Sequence, residues 1–235
     1  MISQIPNTLT CLNLLCGCFS IIFIFKGELH ISALFTLGSL IFDFLDGFAA
    51  RALKASSTIG KELDSLADVV SFGLVPGLIG CHLCLASPPF SLDPDNFSPL
   101  AYFPLIITIG SAIRLARFNV DTRQTDSFIG VPTPAITILM VGLALVLEHD
   151  KFNLTPTILN PFFICGLSMV IAWLLNSELP MLALKFKSFS YRENSAQYML
   201  ILSSIVFIAL FGYTGIPMII ILYIAFSIIS KPIKK

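Results

Sequence analysis

The sequence predicts an all-α integral membrane protein of about eight transmembrane helices. Hydrophobic residues make up 56 % of its 235 residues and charged residues only 12 %, where a soluble domain carries about 25 % charged residues. Mean hydropathy is +0.89. The apolar residues are also gathered into long runs, at about 9–25, 31–53, 60–86, 98–119, 133–148, 156–176, 197–212 and 215–230. Runs of roughly 17–25 residues match the thickness of a bilayer core.

The first run follows Met1–Asn7, which holds no basic residue and no cleavage signal. It is therefore expected to be a retained span and not a signal peptide. With eight spans, both ends of the chain fall on one side. Arg51, Lys54, Lys61, Arg114, Arg117, Arg123, Lys185, Lys187, Arg192, Lys231, Lys234 and Lys235 then gather there. The other side keeps Lys26 and Lys151. This asymmetry predicts that both termini are cytoplasmic. The 87–97 loop, acidic and rich in proline, belongs outside. No repeat or linker divides 1–235, so a single polytopic domain is expected.

Other classes are weakened by the same composition. The net charge is zero, which gives no footing for a nucleic-acid partner. Cys81-His82-Leu83-Cys84 is half of a zinc pattern, and no second pair accompanies it. The six cysteines mostly sit in apolar runs, where a thiol packs as a small hydrophobe. His30, His82 and His149 fall toward the outer side, and Trp173 reads as a lipid-facing or packing group.

Four carboxylates break the apolar pattern. Asp43 and Asp46 lie in the second run, Asp64 and Asp68 in the third. An ionised aspartate deep in a bilayer costs on the order of 3 kcal/mol on insertion scales. Arg51, Lys54 and Lys61 are too few and too near the water to balance all four. At 100° per residue, Asp43, Asp46, Gly47, Ala50 and Arg51 share an arc of about 140°. Gly60, Asp64, Asp68 and Ser71 share one face of the next helix. The short connection makes the two helices antiparallel neighbours whose polar faces can meet. Converging carboxylates suit hard divalent cations, and two such ions can clamp a phosphoryl displacement. Pairing with basic residues, or a cation pathway through a transporter, fits the same geometry.

Residues 43–68 read DFLDGFAARALKASSTIGKELDSLAD, or D-x2-D-G-x2-A-R-x8-G-x3-D-x3-D. This pattern resembles the signature of the CDP-alcohol phosphatidyltransferases at every fixed position. Pro6-Asn7-Thr8-Leu9-Thr10 resembles the family's P-N-x-x-T element. DSLADVVSFGLVP (64–76), RLARFN (114–119) and FIGVPTPA (128–135) are similar to stretches of its bacterial serine-accepting members.

The resemblance implies a fold, a reaction and roles. The fold is a six-helix membrane core, usually homodimeric, with its site open to the cytoplasm of a bacterial inner membrane. Two further C-terminal helices are expected away from the site. Asp43, Asp46, Asp64 and Asp68 are implied as ligands of two divalent ions, Mg2+ or Mn2+, with Asp68 also the general base. Asn7, Thr10, Gly47, Arg51, Ser57 and Gly60 are implied for the CDP-lipid. The substrates implied are CDP-diacylglycerol and L-serine, with phosphatidylserine and CMP as products. Ser71, Arg114 and Arg117 are candidates for the acceptor; snorkelling of the two arginines is the competing explanation. Asn119 serves either the acceptor or a helix cap. Glycerol phosphate, inositol phosphate or an amino alcohol as acceptor would keep the chemistry. A phosphorylated acceptor would need a more basic pocket. A cation-coupled transporter would leave the glycine and alanine positions of the motif without a reason.

Overall fold

The computed structural model describes residues 4–55, 57–88, 98–121, 128–182 and 194–229. Arg123, Lys185, Lys187, Arg192, Lys231, Lys234 and Lys235, with Ser56 and most of the 87–97 loop, lie outside the described residues.

Each apolar run forms helix. The first two are α1 (Gln4–Phe25) and α2 (Leu29–Ala52). The third is α3 (Thr58–Asp68), a π-helical segment (Val69–Leu74) and α4 (Val75–Leu85), continuous with one another. The fourth begins as a 3-10 helix (Pro99–Leu105) and becomes α5 (Ile106–Val120). Then come α6 (Thr133–Glu148), a single turn α7 (Thr155–Ile158), α8 (Pro161–Asn176), α9 (Ser195–Phe211) and α10 (Gly215–Ile229). Among the described residues, five stretches are long and apolar enough to cross a membrane: Gln4–Phe25, Leu29–Ala52, Thr58–Leu85, Pro99–Val120 and Gln197–Ile229. The last holds two of the eight expected runs, broken at Gly212, whose φ of 58° ends α9. The remaining two, α6 and α8, have 16 residues each. Two-residue strands, β1 (Phe128–Ile129) and β2 (Pro180–Met181), pair antiparallel and tie the α5–α6 connection to the end of α8.

Polar residues inside these helices serve their ends and contacts. Ser57 caps α3 by accepting the Gly60 N–H at 3.0 Å. Asn160 caps α8 by accepting from Phe162 and Phe163, with Pro161 at the first helical position. Between α1 and α2, the Ser20 hydroxyl lies 2.8 Å from Ser32 and 2.9 Å from Thr36. In an apolar medium such hydroxyls and small residues let helices pack closely. Large side chains such as Phe25, Leu34, Phe44, Phe48 and Trp173 remain outward and exposed, as a lipid-facing surface requires.

The π segment has an identifiable cause. Pro76 lacks the N–H that an α-helix would send to the Phe72 carbonyl. That carbonyl instead lies 3.2 Å from the Thr137 hydroxyl of α6, which it shares with the Thr133 carbonyl at 3.0 Å. The next one, Gly73, accepts from Thr108 of α5 at 3.0 Å. Gly73 and Pro76 thus shape the third span, and its irregular turn is held by two neighbouring helices.

Candidate active site

The four aspartates come from the C-terminal half of α2 and from α3. Both helices pack against α1, and that brings the aspartates together. One oxygen from each of Asp43, Asp64 and Asp68 lies within 4.8 Å of the others. Asp46 lies beside them, buried at 6 % exposure, and its Oδ2 sits 2.6 Å from the Thr10 hydroxyl. That hydroxyl also lies 3.1 Å from the Pro6 carbonyl. It has one proton, and the shorter contact to a carboxylate takes it.

Asp68 is also buried and accepts from Asn13 Nδ2 at 3.3 Å. Asn13 is itself held in place, since the single Ser39 hydroxyl lies 2.6 Å from its Oδ1 and 2.7 Å from its carbonyl. Asn13 belongs to none of the sequence motifs. A signal existed: Pro6, Thr10, Asn13, Gly17 and Ser20 form one buried stripe of α1 at helical spacing, and its polar members face the aspartates and α2.

Among the described residues, no basic side chain lies within 4.0 Å of any of the four carboxylates; the ion pair present is His30–Glu148, elsewhere. Ion pairing with a described basic residue is therefore not how this cluster is balanced. Asp64 Oδ1 is buried and has no hydrogen-bond donor. Closely spaced carboxylates in a poorly solvated site repel one another strongly, and an orphaned anionic oxygen calls for a cation. The donor set is all oxygen, so it fits a hard divalent ion.

A cavity of about 210 Å³ adjoins the cluster. Its walls include Asn7, Thr10, Asp46, Gly47, Ser57, Gly60 and Asp64, which unites the P-N-x-x-T element with the aspartate motif. A β-carbon on Gly60 would stand 3.0 Å from both Asn7 Oδ1 and Ser57 Oγ. Glycine is needed there to keep the cavity wall close to the α1 entry. Arg51 is exposed and folds back over Gly47, one turn earlier. Lys61 also lines the cavity, and its Nζ donates to the Asn119 carbonyl at 2.8 Å. Asn119 in turn donates to Ser65 at 2.9 Å. It therefore straps α5 to α3.

The acceptor candidates separate. Ser71 is buried against α1, its hydroxyl donating to the Asn13 carbonyl at 3.2 Å, so it faces a helix contact and not the cavity. Arg114 is 8 % exposed, which rules out snorkelling for this residue, whereas Arg117 is exposed. Arg114 lies within electrostatic reach of both Asp68 and Tyr223. The C-terminal helices are thus not wholly remote: α10 packs on α6, and its Tyr223 approaches the buried arginine.

With this geometry in view, the comparisons with known proteins are decisive. Residues 3–177 match the family model of CDP-alcohol phosphatidyltransferases. The chain belongs to that family. Phosphatidyltransferases of this family generally depend on divalent metals. Similar proteins include the CDP-diacylglycerol–serine O-phosphatidyltransferase of Bacillus subtilis, 33 % identical over 72 % of this chain and 86 % of its own length. The protein of the same name from Helicobacter pylori is 37 % identical over 63 % of this chain. The one from Methanocaldococcus jannaschii is 36 % identical over 65 %. The matched region spans 59 % of the Helicobacter protein and 66 % of the Methanocaldococcus protein. Both α9 and α10 lie beyond the family's matched region, which ends at Ser177.

Proposed function

We propose that this phosphatidyltransferase moves the phosphatidyl group of CDP-diacylglycerol onto the hydroxyl of L-serine, releasing CMP. The observation that carries the reading is the convergence of Asp43, Asp64 and Asp68 beside a cavity lined by the motif residues. The relatives named as serine phosphatidyltransferases support the acceptor.

Asp43, Asp46, Asp64 and Asp68 are the residues that would hold two divalent ions, Mg2+ or Mn2+. Bound there, the ions would neutralise the pyrophosphate and the departing CMP. The chain supplies the rest. Asn7, Thr10, Gly47, Ser57 and Gly60 frame the nucleotide side of the cavity, and Arg51 offers a forked contact to a phosphate. Thr10 orients the Asp46 carboxylate, and Asn13 orients that of Asp68. Asp68 takes the proton from the serine hydroxyl as that oxygen bonds to the lipid-side phosphorus. The phosphorus–oxygen bond to CMP breaks, so the products are phosphatidylserine, CMP and one proton on Asp68. Acyl chains remain in the lipid while serine and CMP exchange with water.

The basic residues gathered on one side of the spans support a bacterial inner-membrane location with the site and both termini facing the cytoplasm. The family resemblance supports a homodimer.

The test is to incubate purified protein with CDP-diacylglycerol, Mn2+ or Mg2+, and serine, glycerol phosphate, inositol phosphate or ethanolamine in turn, measuring CMP. Release with serine alone is expected. Release with a different alcohol reassigns the acceptor, and no release with any of them returns the aspartates to a cation pathway.

A further inference from the structure

A second, smaller cavity of about 70 Å³ lies where the ends of α5 and α8 meet. Its lining carries both signs of charge. Arg114 and Arg117 come from α5, Asp121 follows that helix, and Asn176 and Glu178 stand at the end of α8.

Two buried atoms among these residues have no partner: the Arg114 Nε donor and the Asn176 Oδ1 acceptor. The Asn176 amide is not free to turn. Its Nδ2 donates to the Gly110 carbonyl at 3.0 Å and to the Ala172 carbonyl at 3.1 Å. Both amide hydrogens are used, and the oxygen is the end left over. Buried polar groups are rarely left unpaired, because each one forfeits its bonds to water. The two orphans do not satisfy each other, since neither has a partner within hydrogen-bond range. One wants an acceptor and carries positive charge; the other wants a donor and stands near a carboxylate. The carbonyl end of α8 adds a further preference for a cation on that side.

A single ligand satisfying both must present an anionic acceptor and a cationic donor a few bonds apart. A zwitterionic α-amino acid does so. An amino alcohol offers only the cation, and a sugar or glycerol phosphate only the anion. Arg114 also lies within electrostatic reach of Asp68, which links this cavity to the proposed base. We infer that Arg114 and Arg117 hold the carboxylate, and Asn176 and Glu178 the ammonium, of a zwitterionic acceptor. The inference rests on the proposed transfer to serine and adds the residues that select it.

The experiment uses the full chain, purified with lipid, CDP-diacylglycerol and Mn2+, and compares wild type with Glu178→Gln and Asn176→Ala. Glu178 is exposed, so Glu178→Gln keeps the fold even where Asn176→Ala disturbs α8. Serine KM should rise about tenfold or more in each, as expected for losing a hydrogen bond to a charged group. The KM for CDP-diacylglycerol should stay within about twofold. Wild type should prefer serine to 3-hydroxypropionate, which lacks the ammonium, and both variants should narrow that preference. A general loss of structure would not move the ratio. A wild type that uses serine, with Glu178→Gln unchanged in serine KM and in the ratio, overturns this inference alone. A wild type that ignores serine overturns the acceptor assignment with it.

Discussion

The two ends of the helical bundle treat charge in opposite ways. At the His30 end, charges are answered on the spot. Glu148 Oε1 of α6 lies 3.1 Å from His30 Nδ1 of α2. The Asp150 carboxylate accepts the backbone N–H groups of Leu154 and Thr155 at 2.7 Å each. The Thr155 side-chain hydroxyl, and after it these backbone bonds, hold its carboxyl below the ordinary range. At the aspartate end, three carboxylates crowd within 4.8 Å and no basic side chain among the described residues lies within 4.0 Å of them. A charge answered within the chain serves the fold. Charges left open together mark a place completed from outside.

The sharpest way to break this contrast is Asp68→Asn. Transfer should fall by about a thousandfold or more, in the range expected for losing a general base, while size-exclusion and circular dichroism profiles stay unchanged. A variant that turns over at the wild-type rate removes Asp68 from the proton transfer. Metal comes next. Mn2+ should raise the unfolding temperature of wild type, by the equivalent of about 2.7 kcal/mol at a hundred times its dissociation constant. Asp43→Asn should lose most of that rise. Equal shifts in both proteins would mean that the metal binds elsewhere.

A smaller effect is expected for Asn13→Leu, which frees Asp68 from its donor. We predict kcat lowered about tenfold, as for losing a hydrogen bond to a charged group, with little change in the KM for CDP-diacylglycerol. Unchanged kcat would make Asn13 a packing residue only. At the other end, Glu148→Gln should cost less than about 1 kcal/mol, as exposed ion pairs do, and leave CMP release intact. Loss of activity there would dissolve the contrast between the ends. The smallest effect concerns Asp150. Its carboxyl is lower in the folded chain than in the unfolded one, so its contribution is full above the unfolded value and fades as pH falls through the folded one. Asp150→Asn should therefore flatten the acid side of the melting-temperature profile; a profile identical to wild type would discount the cap.

Hydropathy made the helices legible because burial in lipid demands long apolar runs, and every run became helix. The aspartate cluster was legible because its eight motif positions are close in sequence and lie on two adjoining helices. Asn13 was harder to see. A lone asparagine in an apolar run has no local meaning until α2 and α3 are packed around it. Asn176 was hidden for another reason. Near a helix end it passes for a cap, and its partner carbonyl at Gly110 lies on α5, 66 residues away in the chain. Arg114 looked like Arg117 in sequence; only the packing of α8 and α10 separates a buried arginine from an exposed one.

The π segment after Asp68 carries one more implication. A wider turn stores an extra residue; wound as α-helix with the same number of residues, the segment would rotate everything upstream by about 100° relative to α4. Asp64 and Asp68 would then swing away from α1 while α4 stayed seated on its neighbours. The site is therefore tuned by how this turn is wound as well as by residue types. Ser71, Phe72 and Gly73 are buried within the segment and hold that winding against the neighbouring helices.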